Sequence, residues 1–193
     1  MKGLLLKDLH MLKGYFMPYL FLFCVFSLVG VFANMTPLLV AGASLLPSIG
    51  VGCLSLDERF KWDIYCDTMP VSRDLFVVEK YVLSLFCALF CAAVTFVLAL
   101  IKGSTGEALM LAELVLMVAM ALPSLYYPVM FALGSEKSRA VQILLVLAVV
   151  VIITLALSLV DGIIWLSMLM IVPILLYFLS MFISCRIYRR KEL

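Results

Sequence analysis

Charge is scarce in this 193-residue chain: only 13% of its residues are Asp, Glu, Lys or Arg, whereas 66% are apolar. Soluble domains carry about 25% charged residues, so the composition excludes an ordinary soluble domain. The only histidine is His10, and no Cys-x-x-Cys pair occurs, which leaves little material for a metal site. No pattern indicates nucleic-acid binding. The composition predicts an all-α integral membrane protein.

Catalytic motifs are missing as well. No GxxxxGK[ST] phosphate loop occurs and no Gly-Lys pair exists anywhere in the chain, so any ATP hydrolysis has to come from a partner. The HExxH and GxSxG motifs of membrane proteases are also absent. We therefore expect no catalytic, cofactor-binding or metal-binding residue in this chain. We interpret the six cysteines as small buried hydrophobes.

Six apolar segments are long enough to cross a bilayer, which takes about 20 residues per helix. They are residues 15–33, 37–56, 81–101, 108–133, 140–160 and 163–185. The intervening loops alternate between the two sides of the membrane, and Lys and Arg divide 13 to 1 between those sides, the exception being Lys102. Because positively charged loops stay cytoplasmic, the pattern predicts six transmembrane helices with both termini in the cytoplasm. A cleaved signal peptide would remove the first span and break this pattern.

The first thirteen residues, 1–13, predict an amphipathic helix before the first span. Leucines and a methionine share one arc, and basic side chains lie opposite, while Leu6 and Asp8 violate the pattern. Two interpretations stay open. The helix is either a basic anchor on anionic lipid or a helix along the membrane that also contacts a cytoplasmic partner.

Residues 57–80 contain ten charged side chains, including half of the chain's acids, between two apolar spans. Residues 57–69 fit a helix, with opposite charges at i, i+4 in the pairs Asp57–Lys61 and Arg59–Asp63. Its apolar stripe, at i, i+3, i+4 and i+7, is formed by Trp62, Tyr65, Cys66 and Met69.

Pro70 is expected to end this helix, because its ring blocks the backbone hydrogen bond of a continuing turn. Ser72 predicts the N-cap of a second helix, with Asp74 in the first turn, where the helix dipole favours an acid. An apolar stripe on a water-side helix indicates a contact surface for another protein. The alternative is a solvated connector.

Several segments resemble the permease subunits of bacterial ABC transporters of the second, export-type class. They are MKGLLLKD at residues 1–8, DERFKWD at 57–63, TMPVSR at 68–73, YPVMF at 127–131 and EKSR at 136–139. The resemblance spans nearly the whole chain. Six spans, cytoplasmic termini and an amphipathic N-terminal helix also agree with that class.

The resemblance implies a subunit of the bacterial inner membrane that pairs with a second permease subunit, identical or not, and contacts membrane lipid. Two separate ATPase subunits would bind ATP and Mg²⁺. The loop between spans two and three would dock on the ATPase, with a smaller contact from the loop between spans four and five. The residues assigned to this interface are Asp57, Glu58, Arg59, Lys61, Trp62, Asp63, Tyr65, Met69, Pro70, Ser72, Arg73, Glu136 and Lys137.

Glu113 lies within the fourth predicted span, where an ionised carboxylate is costly unless it faces a cavity or a partner. We interpret it either as a residue that lines the export path or as an interfacial residue of a span that begins later. The substrate stays open among lipids, drugs and amphipathic peptides. Two other functions also stay open: the substrate-binding membrane subunit of a vitamin importer, and a membrane scaffold or immunity protein.

Overall fold

The computed structural model describes residues 2–62, 65, 72–103, 105–159 and 170–190, and every regular element in these ranges is an α-helix. The prediction of an all-α chain is confirmed for this part of the molecule. In chain order, the helices are α1 (Lys2–Phe32), α2 (Thr36–Leu45), α3 (Ser48–Arg59), α4 (Arg73–Lys102), α5 (Thr105–Leu133), α6 (Ser135–Leu159) and α7 (Ile171–Arg190).

Four helical stretches in the described ranges are long and apolar enough to cross a membrane. They are Thr36–Arg59, which combines α2 and α3, and the helices α4, α5 and α7, and they correspond to predicted spans two, three, four and six. Predicted spans one and five match shorter apolar segments, Phe16–Phe32 in α1 and Ala140–Val149 in α6. The chain is thus a helical multi-pass membrane protein, and the number of six spans stays a prediction.

The N-terminal helix does not stop before the first apolar segment. α1 runs without a break from Lys2 to Phe32 and contains Pro18, so residues 2–13 are helical and continue directly into the first apolar segment, while the amphipathic character of residues 1–13 stays a prediction. Leu and Lys are strong helix formers, and the single Gly14 between the two segments does not interrupt the backbone hydrogen bonding. His10 is exposed.

Glycines bring α1 and α2 close together. A Cβ atom at Gly30 would lie 2.6 Å from Leu39 Cγ, and one at Gly42 would lie 3.0 Å from Phe26 Cβ. Small residues permit this close approach between membrane helices, where packing replaces the hydrophobic driving force. The α1–α2 hairpin is therefore built on contacts that larger side chains would prevent.

A set of buried hydroxyl groups, the hydroxyl network, joins α4, α5 and α7. Tyr81 Oη lies 2.7 Å from both Ser180 Oγ and Ser184 Oγ, each on α7. Ser84 Oγ lies 2.7 Å from Tyr177 Oη. The remaining member, Tyr127 of α5, donates to the backbone carbonyl of Lys80 at 3.1 Å. The network thus fixes three long helices against one another.

Lys102 connects the last residues of α4 to the last turn of α1. Its ammonium donates to the Val31 carbonyl at 2.9 Å and also to Asn34 Oδ1. The carbonyls of the last helical turn lack partners within the helix, and a lysine satisfies one of them here. Lys102 is the one basic residue that the sequence predicts on the side of the membrane opposite the other thirteen, and this contact gives it a structural role.

Candidate functional site

The charged segment begins where α3 ends, and α3 ends earlier than the sequence predicts. Its last residue is Arg59, and Lys61 has a φ of 52°, a left-handed conformation that does not continue an α-helix. The prediction of one continuous helix over residues 57–69 is therefore wrong at Phe60 and Lys61, whereas Trp62 and Tyr65 beyond them are helical again. It used the i, i+4 spacing of Asp57 and Lys61, whereas Asp57 in fact pairs with lysines from other helices.

The second predicted helix is confirmed at its start. Ser72 has an extended backbone, and its Oγ accepts a hydrogen bond from the Leu75 amide at 3.4 Å. Asp74 lies in the first turn of α4, and Arg73, its first residue, is half-buried. Asp63, Cys66, Met69 and Pro70 lie outside the described residues, so the break at Pro70 stays a prediction.

Two acids and two lysines from three helices form a compact group, which we call the ionic cluster: Lys7, Asp8, Asp57 and Lys80. Lys80 Nζ lies 2.5 Å from Asp8 Oδ2 and 2.7 Å from Asp57 Oδ2. Lys7 Nζ lies 2.5 Å from Asp57 Oδ1 and 3.2 Å from Asp8 Oδ1. Each ammonium therefore contacts both carboxylates, and the four charges balance.

The ionic cluster is almost closed to solvent. The side chains of Asp8 and Lys80 have no exposed surface, that of Asp57 is 2% exposed, and that of Lys7 is 16% exposed. Burying an ion costs several kcal/mol, which only a well-placed partner offsets. The expectation that Asp57 lies on a partner-facing surface is therefore corrected: its carboxylate faces into the bundle.

Aromatic rings and one further acid surround the ionic cluster. Lys7 Nζ lies 4.5 Å from the centroid of the Trp62 ring, and Lys80 Nζ lies 5.1 Å from that of Phe76, so the ring faces attract both cations. Trp62 is half-buried and contacts α1 in this way. Glu79 is fully buried, and within the described residues its carboxylate has no hydrogen-bond partner.

Beside the buried ionic cluster lies an exposed surface that combines charge with large apolar side chains. Phe60 is 65% exposed and Tyr65 is 60% exposed. We define the terminal surface as the exposed residues Glu58, Arg59, Phe60, Lys61 and Tyr65. The sequence predicts an interface role for four of these five residues, but not for Phe60. On a continuous helix over residues 57–69, the Phe60 ring would point away from the apolar stripe.

The second predicted contact loop lies next to the terminal surface. A Cβ atom at Gly134 would lie 2.6 Å from Glu58 Oε1, so the carboxylate sits against the backbone between α5 and α6. Gly134 has a φ of 81°, which glycine adopts without strain. Lys137 is exposed, and the Glu136 side chain lies outside the described part of the chain. Both predicted contact loops are thus at one end of the bundle.

Glu113 is half-buried on α5, and its Oε2 atom is buried without a hydrogen-bond partner in the described residues. This position fits both interpretations of Glu113. Among the described residues, no group of three or more His, Cys, Asp or Glu side chains is placed to hold a metal ion. Five of the cysteines are described, and they carry free thiols.

Sequence comparison identifies the kind of protein to which this bundle belongs. A family model described as ABC-2 family transporter protein matches residues 3–189. The chain belongs to the ABC-2 transporter family. The match confirms the resemblance to ABC permease subunits that the opening segment and the charged loop carry. No curated protein and no solved structure matches the chain.

Membership of the ABC-2 family makes the chain a membrane component of an ABC transporter, and such components associate with an ABC ATPase. The sequence did not predict a site role for Lys7, Asp8 and Lys80, which form the ionic cluster together with Asp57. One signal pointed to them, because Asp8 breaks the amphipathic pattern of residues 1–13. In the structure its carboxylate contacts Lys7, the preceding residue, and Lys80 from α4.

Proposed function

We propose that this chain is the permease subunit of an ATP-driven ABC exporter, and that its terminal surface is the docking site for the ATPase. The observation that carries the proposal is the ABC-2 match over residues 3–189, together with the exposed Phe60 and Tyr65 rings beside a cluster of charges. Exposed aromatic and charged residues at a loop tip are typical of contact sites. The match favours a permease over a vitamin-importer subunit or a scaffold.

The proposed mechanism is mechanical. In it, the chain forms the translocation path with a second permease subunit, identical or not, and both termini lie in the cytoplasm. ATP and Mg²⁺ bind in the ATPase, since this chain lacks a phosphate loop. ATP-driven closure of the ATPase displaces the terminal surface. The ATPase must contact that surface differently in its two states, because a ligand without differential affinity shifts no equilibrium.

The proposed substrate is an amphipathic peptide, a drug or a lipid. An apolar cavity of about 760 Å³ supports this class of molecule. It lies between α1, α4 and the α2–α3 junction, and its lining includes Phe16, Met17, Ile49, Phe86 and Phe90. A cavity with such a lining accepts hydrocarbon better than polar groups. Glu113 would contact a cationic part of the substrate on the path.

The proposal is tested by purifying the tagged chain from membranes and analysing what accompanies it. We expect a subunit that contains a GxxxxGK[ST] motif and hydrolyses ATP in the purified complex. The double variant Phe60→Ala, Lys61→Glu should lose this subunit. The control, Phe86→Ala, removes a ring that is similarly exposed, at 66% against 65% for Phe60, but lies on the apolar part of α4. Because Phe86 also lines the proposed substrate cavity, the two variants are compared in ATPase retention and not in transport.

Two results would contradict the proposal. One is purification of the intact chain without any ATP-hydrolysing subunit. The other is equal retention of the ATPase by the double variant and by the Phe86→Ala control, which would exclude the terminal surface as its docking site. Membrane abundance of both variants is measured in parallel, since an exposed residue is expected to leave it unchanged.

A further inference from the structure

We propose that the ionic cluster makes α1, α3 and α4 move as one unit when the ATPase displaces the terminal surface, with Lys80 as the positioning residue. This inference rests on the proposed function, because the displacement comes from the ATPase. It assigns a transmission role to Asp8, Asp57 and Lys80, which are too buried to contact a partner, and to the partly exposed Lys7.

The transmission of the ATPase's movement begins in the last turn of α3. Asp57 lies three positions before Phe60, and Glu58, the next residue, is part of the terminal surface. Because the backbone of a helical turn is hydrogen-bonded within itself, a force on the terminal surface moves Asp57 with it. The Asp57 carboxylate then carries that movement to Lys80 at 2.7 Å and to Lys7 at 2.5 Å.

Lys80 is the point at which the three helices meet. Its ammonium belongs to α4, one carboxylate partner lies on α3, and the other, Asp8, lies on α1. A separation of α1 or α3 from α4 would leave a buried carboxylate without its cation, which is strongly unfavourable in a low-dielectric interior. Small relative movements at this point are therefore resisted, and the helices respond together.

The opposite ends of α1 and α4 are connected in a different way. Lys102 donates to the Val31 carbonyl and to Asn34 Oδ1, but it is exposed and its acceptors are neutral. Water replaces such contacts at little cost. Lys102 thus offers a matched control: it is a second lysine of α4 that contacts α1, without the buried charges.

The test measures the distance between α1 and α3 in the transporter complex. Spin labels are attached through His10→Cys on α1 and Gly52→Cys on α3, two exposed positions outside the terminal surface, in a chain whose native cysteines are replaced by alanine. The labelled chain is studied with its co-purified ATPase, without nucleotide and with a non-hydrolysable ATP analogue. We expect the same mean distance between the two labels with and without the ATP analogue, even though ATP binding closes the ATPase.

A neutral variant of the ionic cluster supplies the contrast: Lys7→Met, Asp8→Asn, Asp57→Asn and Lys80→Met together. It keeps side-chain volume and removes all four charges of the cluster. Glu79→Gln is added to it, because the buried Glu79 carboxylate would otherwise remain without a nearby cation. We expect its label distance to become broader and to depend on nucleotide, whereas Lys102→Met should behave like the parent. A merely structural cluster would instead leave the nucleotide dependence unaltered.

Two results would overturn the inference alone. The first is a nucleotide-dependent change of about 2 Å or more in the parent, the size of helix shifts in switching proteins. The second is a neutral variant that behaves like the parent. If the neutral variant does not accumulate in the membrane, the nucleotide dependence of the label distance in the parent alone decides the inference. A chain that binds no ATPase would refute the proposed function itself, which the purification reveals before any label is attached.

Discussion

Lys80 and Tyr81 are neighbours on α4, yet they belong to two regions that are held together differently. Lys80 faces the ionic cluster with α1 and α3, where full charges lie 2.5 to 3.2 Å apart. Tyr81 faces the hydroxyl network with α5 and α7, where neutral hydroxyl groups lie 2.7 Å apart. Both regions are buried.

The difference lies in what happens when one member is lost. A buried cation leaves its acids uncompensated, so the ionic cluster behaves as a unit. A lost hydroxyl leaves partners that find other acceptors, so the cost is small and local. The region next to the terminal surface is thus the one in which a disturbance cannot stay local. The hydroxyl network, by contrast, fits a part of the bundle that keeps its shape.

Of the substitutions that separate the two regions, removal of the central cation should lower stability most. Lys80→Met leaves Asp8 and Asp57 buried with only Lys7 beside them, and loss of one partner of a buried pair costs about 3–5 kcal/mol. We expect a large loss of thermal stability in detergent. The variant that also carries Asp8→Asn should recover most of that loss, because it leaves Lys7 paired with Asp57. Equal stability of the single variant and the parent would contradict the description of the cluster.

A steric change on α3 should have the next largest effect. A Cβ atom at Gly50 would lie 2.1 Å from Tyr127 Oη, so Gly50→Ala displaces the hydroxyl that bonds the Lys80 carbonyl. Overpacking of this kind costs about 1–3 kcal/mol. Gly52→Ala on the same helix is the control, because no atom lies within 4 Å of its new Cβ. Similar melting temperatures for both variants would exclude this close contact.

Deleting one hydroxyl from the network should have a modest effect. Tyr81→Phe removes contacts to Ser180 and Ser184, and hydrogen bonds between membrane helices contribute about 0.6 kcal/mol on average and at most about 1.7 kcal/mol. Tyr126→Phe is the control, since the buried Tyr126 hydroxyl has no partner in the described residues. Chemical denaturation should show a loss for the first variant and none for the second. The reverse order would contradict the network.

The smallest effect is expected at the surface. Arg189 forms a two-atom ion pair with Asp74, but the two side chains are 66% and 36% exposed. Solvent and salt screen such pairs. Arg189→Ala should therefore leave the melting temperature unchanged at physiological salt. A loss comparable to that of Lys80→Met would mean that exposure does not separate the two kinds of ion pair.

Four of the apolar spans and the start of α4 could be predicted because their signals are local. Hydropathy over about 20 residues identifies a spanning helix, and the N-cap at Ser72 depends on residues within one turn. The same local reasoning failed for residues 57–69. It paired Asp57 with Lys61, four positions away, because nothing in the sequence shows a partner on another helix.

The ionic cluster could not be predicted because its contacts are distant in sequence. Lys80 lies 72 positions from Asp8 and 23 positions from Asp57. Only the arrangement of α1, α3 and α4 brings these residues together. A charge that violates an amphipathic pattern, as Asp8 does, indicates that a partner exists but not which residue it is.

Photocrosslinking from the terminal surface tests the central claim most directly. A photoreactive amino acid replaces Phe60 in one chain and Phe86 in another, and both are irradiated in native membranes. The proposed function predicts a crosslink from position 60 to a subunit that carries a GxxxxGK[ST] motif, and none from position 86 to that subunit. The absence of this crosslink from position 60, with the chain intact and abundant, would contradict the assignment of the docking site.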